Sequence, residues 1–183
     1  MIILGLTGLA ASGKDRTAEY MVKKYQAGRY GFSGSLRVAM RALHIAESRP
    51  NLAKFSLILR QNFGEDLLAK AMAEDIKKDT NEYIVIDGIR READIFYLTK
   101  IKGFHLVSID ADIKIRYERL IKRNQNSDDN KTYEEFVIDH SRETEMSIPP
   151  IMAIAEFHID NNGNEETLEK QIDEIIEKIK KYD

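Results

Sequence analysis

The chain contains no cysteine. Disulfides, thiolate metal sites and a cysteine nucleophile are thereby excluded, and the absence suits a reducing cytosol. Tryptophan is also absent, which carries no functional message. No stretch approaches the roughly 18 consecutive apolar residues of a membrane span. The opening run Met-Ile-Ile-Leu-Gly-Leu-Thr-Gly lacks a charged leading segment and is too short for a secretory signal, so it reads as structure. Net charge is −3, so no global basic field draws the protein to nucleic acid or to an anionic membrane. The four histidines, His44, His105, His140 and His158, show no metal-ligand spacing, and no Ser-His-Asp arrangement is apparent. Internal repeats and low-complexity segments are missing too. The expected setting is cytoplasmic, as a monomer or homodimer, without a nucleic-acid or membrane partner.

What is present is one strong motif. Residues 8–14 read Gly-Leu-Ala-Ala-Ser-Gly-Lys, which fits G-x-x-x-x-G-K, the Walker A phosphate loop. The apolar run Ile2–Thr7 precedes it at strand length. A helical pattern follows from Lys14, with Ala18, Met21, Val22 and Tyr25 on one face. Strand, glycine loop, helix is the order this chemistry needs. Glycines let backbone N–H groups curl around phosphate oxygens, and the helix N-terminus adds partial positive charge. Gly8, Ala10, Ala11, Ser12, Gly13, Lys14, Asp15 and Arg16 form the expected ATP-binding set, with Lys14 reaching the β- and γ-phosphates. The residue after the lysine is normally Ser or Thr, whose hydroxyl ligates magnesium. Here it is Asp15, with Thr17 two residues on. Asp15 either serves a hard cation as a carboxylate or only caps the helix.

The 183 residues, 43% hydrophobic and 32% charged, suffice for one domain, 1–183, with a real core. Strand-like runs alternate with helical ones, the signature of a parallel sheet covered by helices. Strands are predicted at 2–7, 28–33, 83–87, 104–110 and 155–160. Helices are predicted from Lys14, at 35–48, at 53–78 with a bend at Gly64, and at 91–102, 112–124 and 165–181. Arg49-Pro50-Asn51 and Pro149-Pro150 read as breaks, and Thr132-Tyr133-Glu134-Glu135 as a capping box that starts a helix. Parallel strands place their carboxyl ends, where ligands bind, on one rim.

Asp87 closes an apolar strand, the Walker B arrangement. There it holds magnesium with Asp15 or takes a proton from the acceptor; the alternative is a turn aspartate before Gly88. Arg90 on the same rim can grip an acceptor phosphate bidentately, or is a surface charge, whereas Arg91 begins the next helix and faces solvent. Arg119 and Arg123 are spaced i, i+4 and share a helix face. They lead into a polar loop and a capped helix, a lid at about 119–145 that would close over phosphates. The alternative is a solvated face on which they and Arg116 pair with Glu118 and Asp112. Acidic Asp128, Asp129, Glu134, Glu135, Asp139, Glu143 and Glu145 weigh against an anion-binding lid. Ser33, Ser35, Arg37 and Arg60 lie between the second and third strands, where an acceptor would be oriented. The expected catalytic set is therefore Lys14, Asp87, Arg119 and Arg123; the acceptor set is Ser35, Arg37, Arg60 and Arg90; the magnesium ligands are Asp15 and Asp87.

Together these residues resemble the P-loop kinases of the nucleoside-monophosphate-kinase group, over nearly the whole chain. Ser12-Gly13-Lys14-Asp15 is similar to the variant loop of phage-type deoxynucleoside-monophosphate kinases and animal-type phosphomevalonate kinases. Phe32–Arg37 and Arg60–Glu65 are similar to their acceptor segments. Val85–Arg90, Arg116–Arg123 and Ser127-Asp128-Asp129 look like an archaeal P-loop family related to adenylate kinase and dephospho-CoA kinase. The paired aspartates of the dephospho-CoA kinase acceptor motif are not evident. The resemblance implies a three-layer α/β P-loop NTPase fold, five parallel strands in the order 2-3-1-4-5 and a small helical lid. It also implies transfer of the γ-phosphoryl group of ATP, with Mg2+, to a small phosphate-bearing acceptor, a nucleoside or deoxynucleoside monophosphate. A dephospho-CoA kinase-like enzyme is the alternative within kinases, and a nucleotide-binding regulatory ATPase switch the alternative outside them.

Overall fold

The computed structural model describes residues 1–123, 131–139 and 146–182. Five strands form one parallel sheet in the order β2-β3-β1-β4-β5. They are β1 (Ile2–Thr7), β2 (Gly28–Gly31), β3 (Tyr83–Ile89), β4 (Phe104–Asp110) and β5 (Phe157–Asp160). β1 lies at the centre and every residue of it is buried, as its unbroken apolar run requires of a strand covered on both faces. Alternation then builds two cores. Leu4, Leu6, Val85, Val107 and Ile109 point to one face. There they meet Ala18 and Met21 of α1 (Lys14–Tyr25) and Ile172 and Ile176 of the last helix, Glu165–Tyr182. Ile3, Ile84, Ile86 and Leu106 point to the other face, against Met72, Ile76, Ile95 and Ile151. The result is the three-layer α/β arrangement with the expected strand order.

Several elements differ from the sequence reading. β2 ends at Gly31, and α2 (Phe32–Ala42) begins where a strand residue was expected and ends before 48. The chain turns beyond it, with His44 at a positive φ of 56°. Pro50 starts a helix rather than breaking one. It lies in the first turn of α3 (Arg49–Phe63), and Ser48 Oγ accepts the N–H of Asn51 at 3.3 Å. Pro149 and Pro150 likewise sit in a helix, Ile148–Ala153, at its first turn. Proline costs nothing there because first-turn N–H groups have no intrahelical acceptor. The segment 53–78 is two helices, α3 and α4 (Leu67–Ile76), not one bent helix. Gly64 separates them at φ 107° and ψ 145°, outside helical space. The stretch 91–102 is a single turn, α5 (Glu92–Ile95), then a 3-10 turn at Leu98–Lys100. Ile95 and Leu98 are both buried, and a spacing of three aligns side chains when the coil tightens to 3-10. β5 starts at Phe157 rather than 155.

α6 (Ile113–Arg123) follows β4, and α7 (Tyr133–Asp139) starts at the expected capping box. Glu135 Oε2 accepts the Thr132 N–H at 2.7 Å, and Thr132 Oγ1 accepts the Glu135 N–H at 3.2 Å. Residues 124–130 and 140–145 of the expected lid, with Ser127, Asp128, Asp129, His140, Arg142, Glu143 and Glu145, lie outside the described residues. Among the described residues no helix is long and apolar enough to cross a membrane.

Candidate active site

The loop between β1 and α1 is shaped by two glycines that no other residue can replace. Gly8 has φ 151°, and a Cβ there would fall 2.3 Å from the Ile109 carbonyl oxygen. Gly13 has φ 117°, and its Cβ would fall 2.1 Å from Asn161 Nδ2. Both clashes arise because neighbouring strands press against the loop. Asn161, buried just after β5, donates from Nδ2 to the Ser12 carbonyl at 2.7 Å. Arg116 of α6, only 4% exposed, donates from Nε to the Ala111 carbonyl at 2.9 Å and from Nη1 to the Ala10 carbonyl at 3.3 Å. Arg116 is thus a buried brace under the loop, not a residue of a solvated helix face. Lys14 folds back, and its ammonium donates to the carbonyls of Gly8 at 2.7 Å and Leu9 at 2.9 Å. Ser12 Oγ is buried and finds no hydrogen-bond partner among the described residues.

Asp15 and Asp87 come together beside this loop. Arg29 of β2 joins them: its Nη2 donates to Asp15 Oδ1 at 3.0 Å and to Asp87 Oδ2 at 3.2 Å. Asp15 makes its hydrogen bond to Arg29 and no capping bond, the N-cap of α1 being Gly13. Thr17 is fully buried and its hydroxyl donates to the Gly13 carbonyl at 3.3 Å, so it does not take the place of the usual loop hydroxyl. Burial raises the Asp87 pKa above the ordinary carboxylate value, and the negative charge of Asp15 adds to the rise; Lys14 and Arg29 oppose it. Two carboxylates next to a phosphate-binding loop suit a hard divalent cation, which takes one or two carboxylates and completes its shell with substrate phosphates and water. No group of three or more His, Asp or Glu side chains that could hold a metal occurs among the described residues.

Two clefts open from this point. The larger, about 860 Å3, runs from Ala11, Gly13, Lys14, Asp15 and Arg16 to Arg119, Arg123, Asn161 and Glu165. Arg119 donates from Nη2 to the Asn161 carbonyl at 2.8 Å, while its buried Nη1 has no partner among the described residues. Arg16 pairs with Glu19 at 3.4 Å and Glu165 at 3.7 Å on the cleft's outer edge. The smaller cleft, about 480 Å3, is lined by Tyr30, Phe32, Ser33, Gly34, Gly88 and Arg90. Arg29 borders both clefts; Asp15 faces the larger and Asp87 the smaller. Asp94 Oδ2 accepts the backbone N–H groups of Arg90 at 2.9 Å and Arg91 at 3.0 Å, which fixes the turn that carries Arg90.

The remaining acceptor residues do not line the smaller cleft. Ser35 is exposed one turn along α2, and Ser33 and Gly34 occupy the wall instead. Arg37 is held by Glu47 at 3.3 Å. Arg60 hydrogen-bonds Ser56 of its own helix. Arg91, expected in solvent, pairs with Glu65 at 3.2 Å. The sequence reading missed Arg29 and Asn161 as parts of the site. Asn161 directly follows the carboxyl end of β5, a position on the ligand-bearing rim that could have marked it; Arg29 lies within β2, opposite Val85, and no local signal marks it.

No family model matches the chain. Among solved structures it is similar to shikimate kinase from Bacteroides thetaiotaomicron, with a TM-score of 0.64 at 13% identity over 98% of both chains. It is also similar to shikimate kinase from Aquifex aeolicus, with a TM-score of 0.57 at 14% identity over 96% of both. At such identities the likeness concerns the fold, and that fold is the P-loop NTPase fold. Sequence relatives extend over the whole chain. The UPF0200 protein MJ1399 of Methanocaldococcus jannaschii is 29% identical over 181 residues, 98% of this chain and 91% of that protein. A UPF0200 protein of Methanothermobacter thermautotrophicus is 30% identical over 185 residues, again 98% of this chain and 91% of that protein. With its full length aligned at that identity, the chain belongs to the UPF0200 protein family.

Proposed function

We propose that this protein is an ATP-dependent phosphotransferase that moves the γ-phosphoryl group to a small phosphate-bearing acceptor, a nucleoside or deoxynucleoside monophosphate. The observation that carries the reading is the meeting of two clefts at one carboxylate pair. A phosphate loop and Asp15 face one cleft; Asp87, Ser33 and Arg90 face the other. A nucleoside triphosphate in the first and an acceptor in the second bring donor and acceptor together beside Asp87. A hydrolytic switch needs only the first cleft.

The roles follow from position. Backbone amides of the Gly8–Lys14 loop cradle the donor phosphates, and Lys14 exchanges its Gly8 and Leu9 carbonyls for β- and γ-oxygens. Asp15 and Asp87 would hold Mg2+, which when bound neutralises charge on the transferring group. Asp87 lines the acceptor cleft, and burial together with the Asp15 charge raises its pKa above the ordinary aspartate value. Arg90 offers a planar fork to the acceptor phosphate. Arg119 and Arg123 line the donor cleft, where their charge suits the transferring phosphoryl group. Likeness of fold to shikimate kinases supports kinase-type chemistry without specifying the acceptor.

The test is ADP formation over a panel of nucleoside and deoxynucleoside monophosphates, dephospho-CoA and shikimate, against an acceptor-free blank. At least one monophosphate is expected to raise the rate well above the blank. A response to dephospho-CoA alone moves the acceptor assignment. No response to any acceptor, with stimulation by a protein partner, replaces the kinase by a regulatory ATPase.

A further inference from the structure

Arg29 reaches the centre of the site, yet no part of the phosphate-loop chemistry above requires it. It stands on β2 opposite Val85, two residues before Gly31 pairs with Asp87. One nitrogen, Nη2, reaches both carboxylates, at 3.0 and 3.2 Å. Asp87 is mostly buried and Asp15 is largely exposed, so the bridge spans the line between the clefts. Asp15 explains why a cation is held there. With a Ser or Thr at that position one carboxylate would stand alone; with aspartate, two negative charges face each other, and two donors of Lys14 are placed on loop carbonyls.

We propose that Arg29 is the resident counter-ion of the Asp15–Asp87 pair, and that Arg29 and a divalent cation exclude one another there. The inference rests on the reading of these carboxylates as metal ligands. Mg2+ binds carboxylate oxygens at about 2.0–2.1 Å. Held on the same oxygens, it repels a guanidinium that also needs them. Arg29 must therefore leave the pair as the cation enters. The long side chain borders both clefts, and a guanidinium fork released there is suited to phosphate oxygens. The arrangement makes metal entry depend on phosphate. Without nucleotide a guanidinium already occupies the carboxylate pair; with nucleotide Arg29 has somewhere else to go.

The experiment is a Mn2+ titration of the nucleotide-free protein, read by electron paramagnetic resonance, on wild type and Arg29→Gln. Removal of the competing charge is expected to tighten Mn2+ binding by about tenfold, the usual scale of coupling between two ligands. Equal or weaker binding by the variant overturns the proposal, because it would mean that Arg29 does not compete with the cation for the carboxylates. If Arg29→Gln does not hold its fold alone, it is refolded with Mn2+ present. Recovery of its circular dichroism supports the exchange of one cation for another, and failure to recover overturns it. The titration contains neither nucleotide nor acceptor, so its outcome is separate from that of the acceptor panel.

Discussion

At the scale of single residues, Lys14 and Asp87 are the informative positions. Lys14 sits on two loop carbonyls, a ready-made substitute for phosphate oxygens. Lys14→Ala is expected to cost about 2–4 kcal/mol of transition-state stabilisation, roughly 30- to 1,000-fold in kcat/KM. Steady-state kinetics check this, and unchanged turnover would remove the phosphate loop from the mechanism. Asp87 carries a cost in the free protein. Burial, then Asp15, lifts its pKa above the ordinary aspartate value, so the folded state holds that proton more tightly than the unfolded state. The raised pKa therefore favours folding only in acid; that contribution disappears as pH rises through the folded-state pKa. Asp87→Asn is expected to melt higher than wild type at pH 7 in the absence of metal and nucleotide. The difference should shrink as pH falls toward the unfolded value, while phosphoryl transfer is lost. A variant that melts lower at neutral pH would mean that the Arg29 bridge outweighs desolvation.

At the scale of elements, the phosphate loop owes its shape to its neighbours. α6 braces it through Arg116, and the turn after β5 braces it through Asn161. Asn161→Ala leaves the Ser12 carbonyl without its donor and is expected to cost about 1–3 kcal/mol of stability. At roughly 2–4 °C per kcal/mol for a chain of this size, calorimetry resolves the loss. Arg116→Met is expected to keep the packing volume but to remove the hydrogen bonds to the Ala10 and Ala111 carbonyls. Its ATP KM should rise, with the acceptor KM little changed, because the brace lies on the donor side. An equal rise in both constants would show that α6 supports the whole rim and not the loop alone. Asp94 plays the matching part on the other side, since its carboxylate sets the turn that presents Arg90.

At the scale of the whole molecule, the two clefts share Arg29 at their border and meet beside Asp15 and Asp87. The shared border suits direct transfer within a ternary complex. Initial rates with ATP and acceptor varied together are expected to give intersecting double-reciprocal lines; parallel lines would require a phosphorylated enzyme. Arg90→Lys, in the same experiment, is expected to raise the acceptor KM by about tenfold while ATP binding stays near wild type. Lysine keeps the charge but loses the planar fork. A change confined to the ATP constants would place Arg90 on the donor side.

The sequence by itself determined the frame. An unbroken apolar run marked β1 as a strand buried on both faces, and the glycine–lysine spacing marked the phosphate loop. Alternation along β3 and β4 was enough to send their side chains to two separate cores. Capping at Thr132 was legible because both partners lie within four residues. Prolines misled, because Pro50, Pro149 and Pro150 start helices only when a preceding residue and the surrounding packing supply the first turn. The tertiary structure alone decided the site. Arg29 meets Asp15 across 14 positions and Asp87 across 58, and Asn161 meets Ser12 across 149. Such contacts have no local pattern, since they depend on strand order and on which residue falls at each strand end. Arg37 and Arg60 carry the charge an acceptor needs, but Glu47 and Ser56 hold them. Charge is written in the sequence; whether it faces a cleft or a neighbouring side chain is settled by packing.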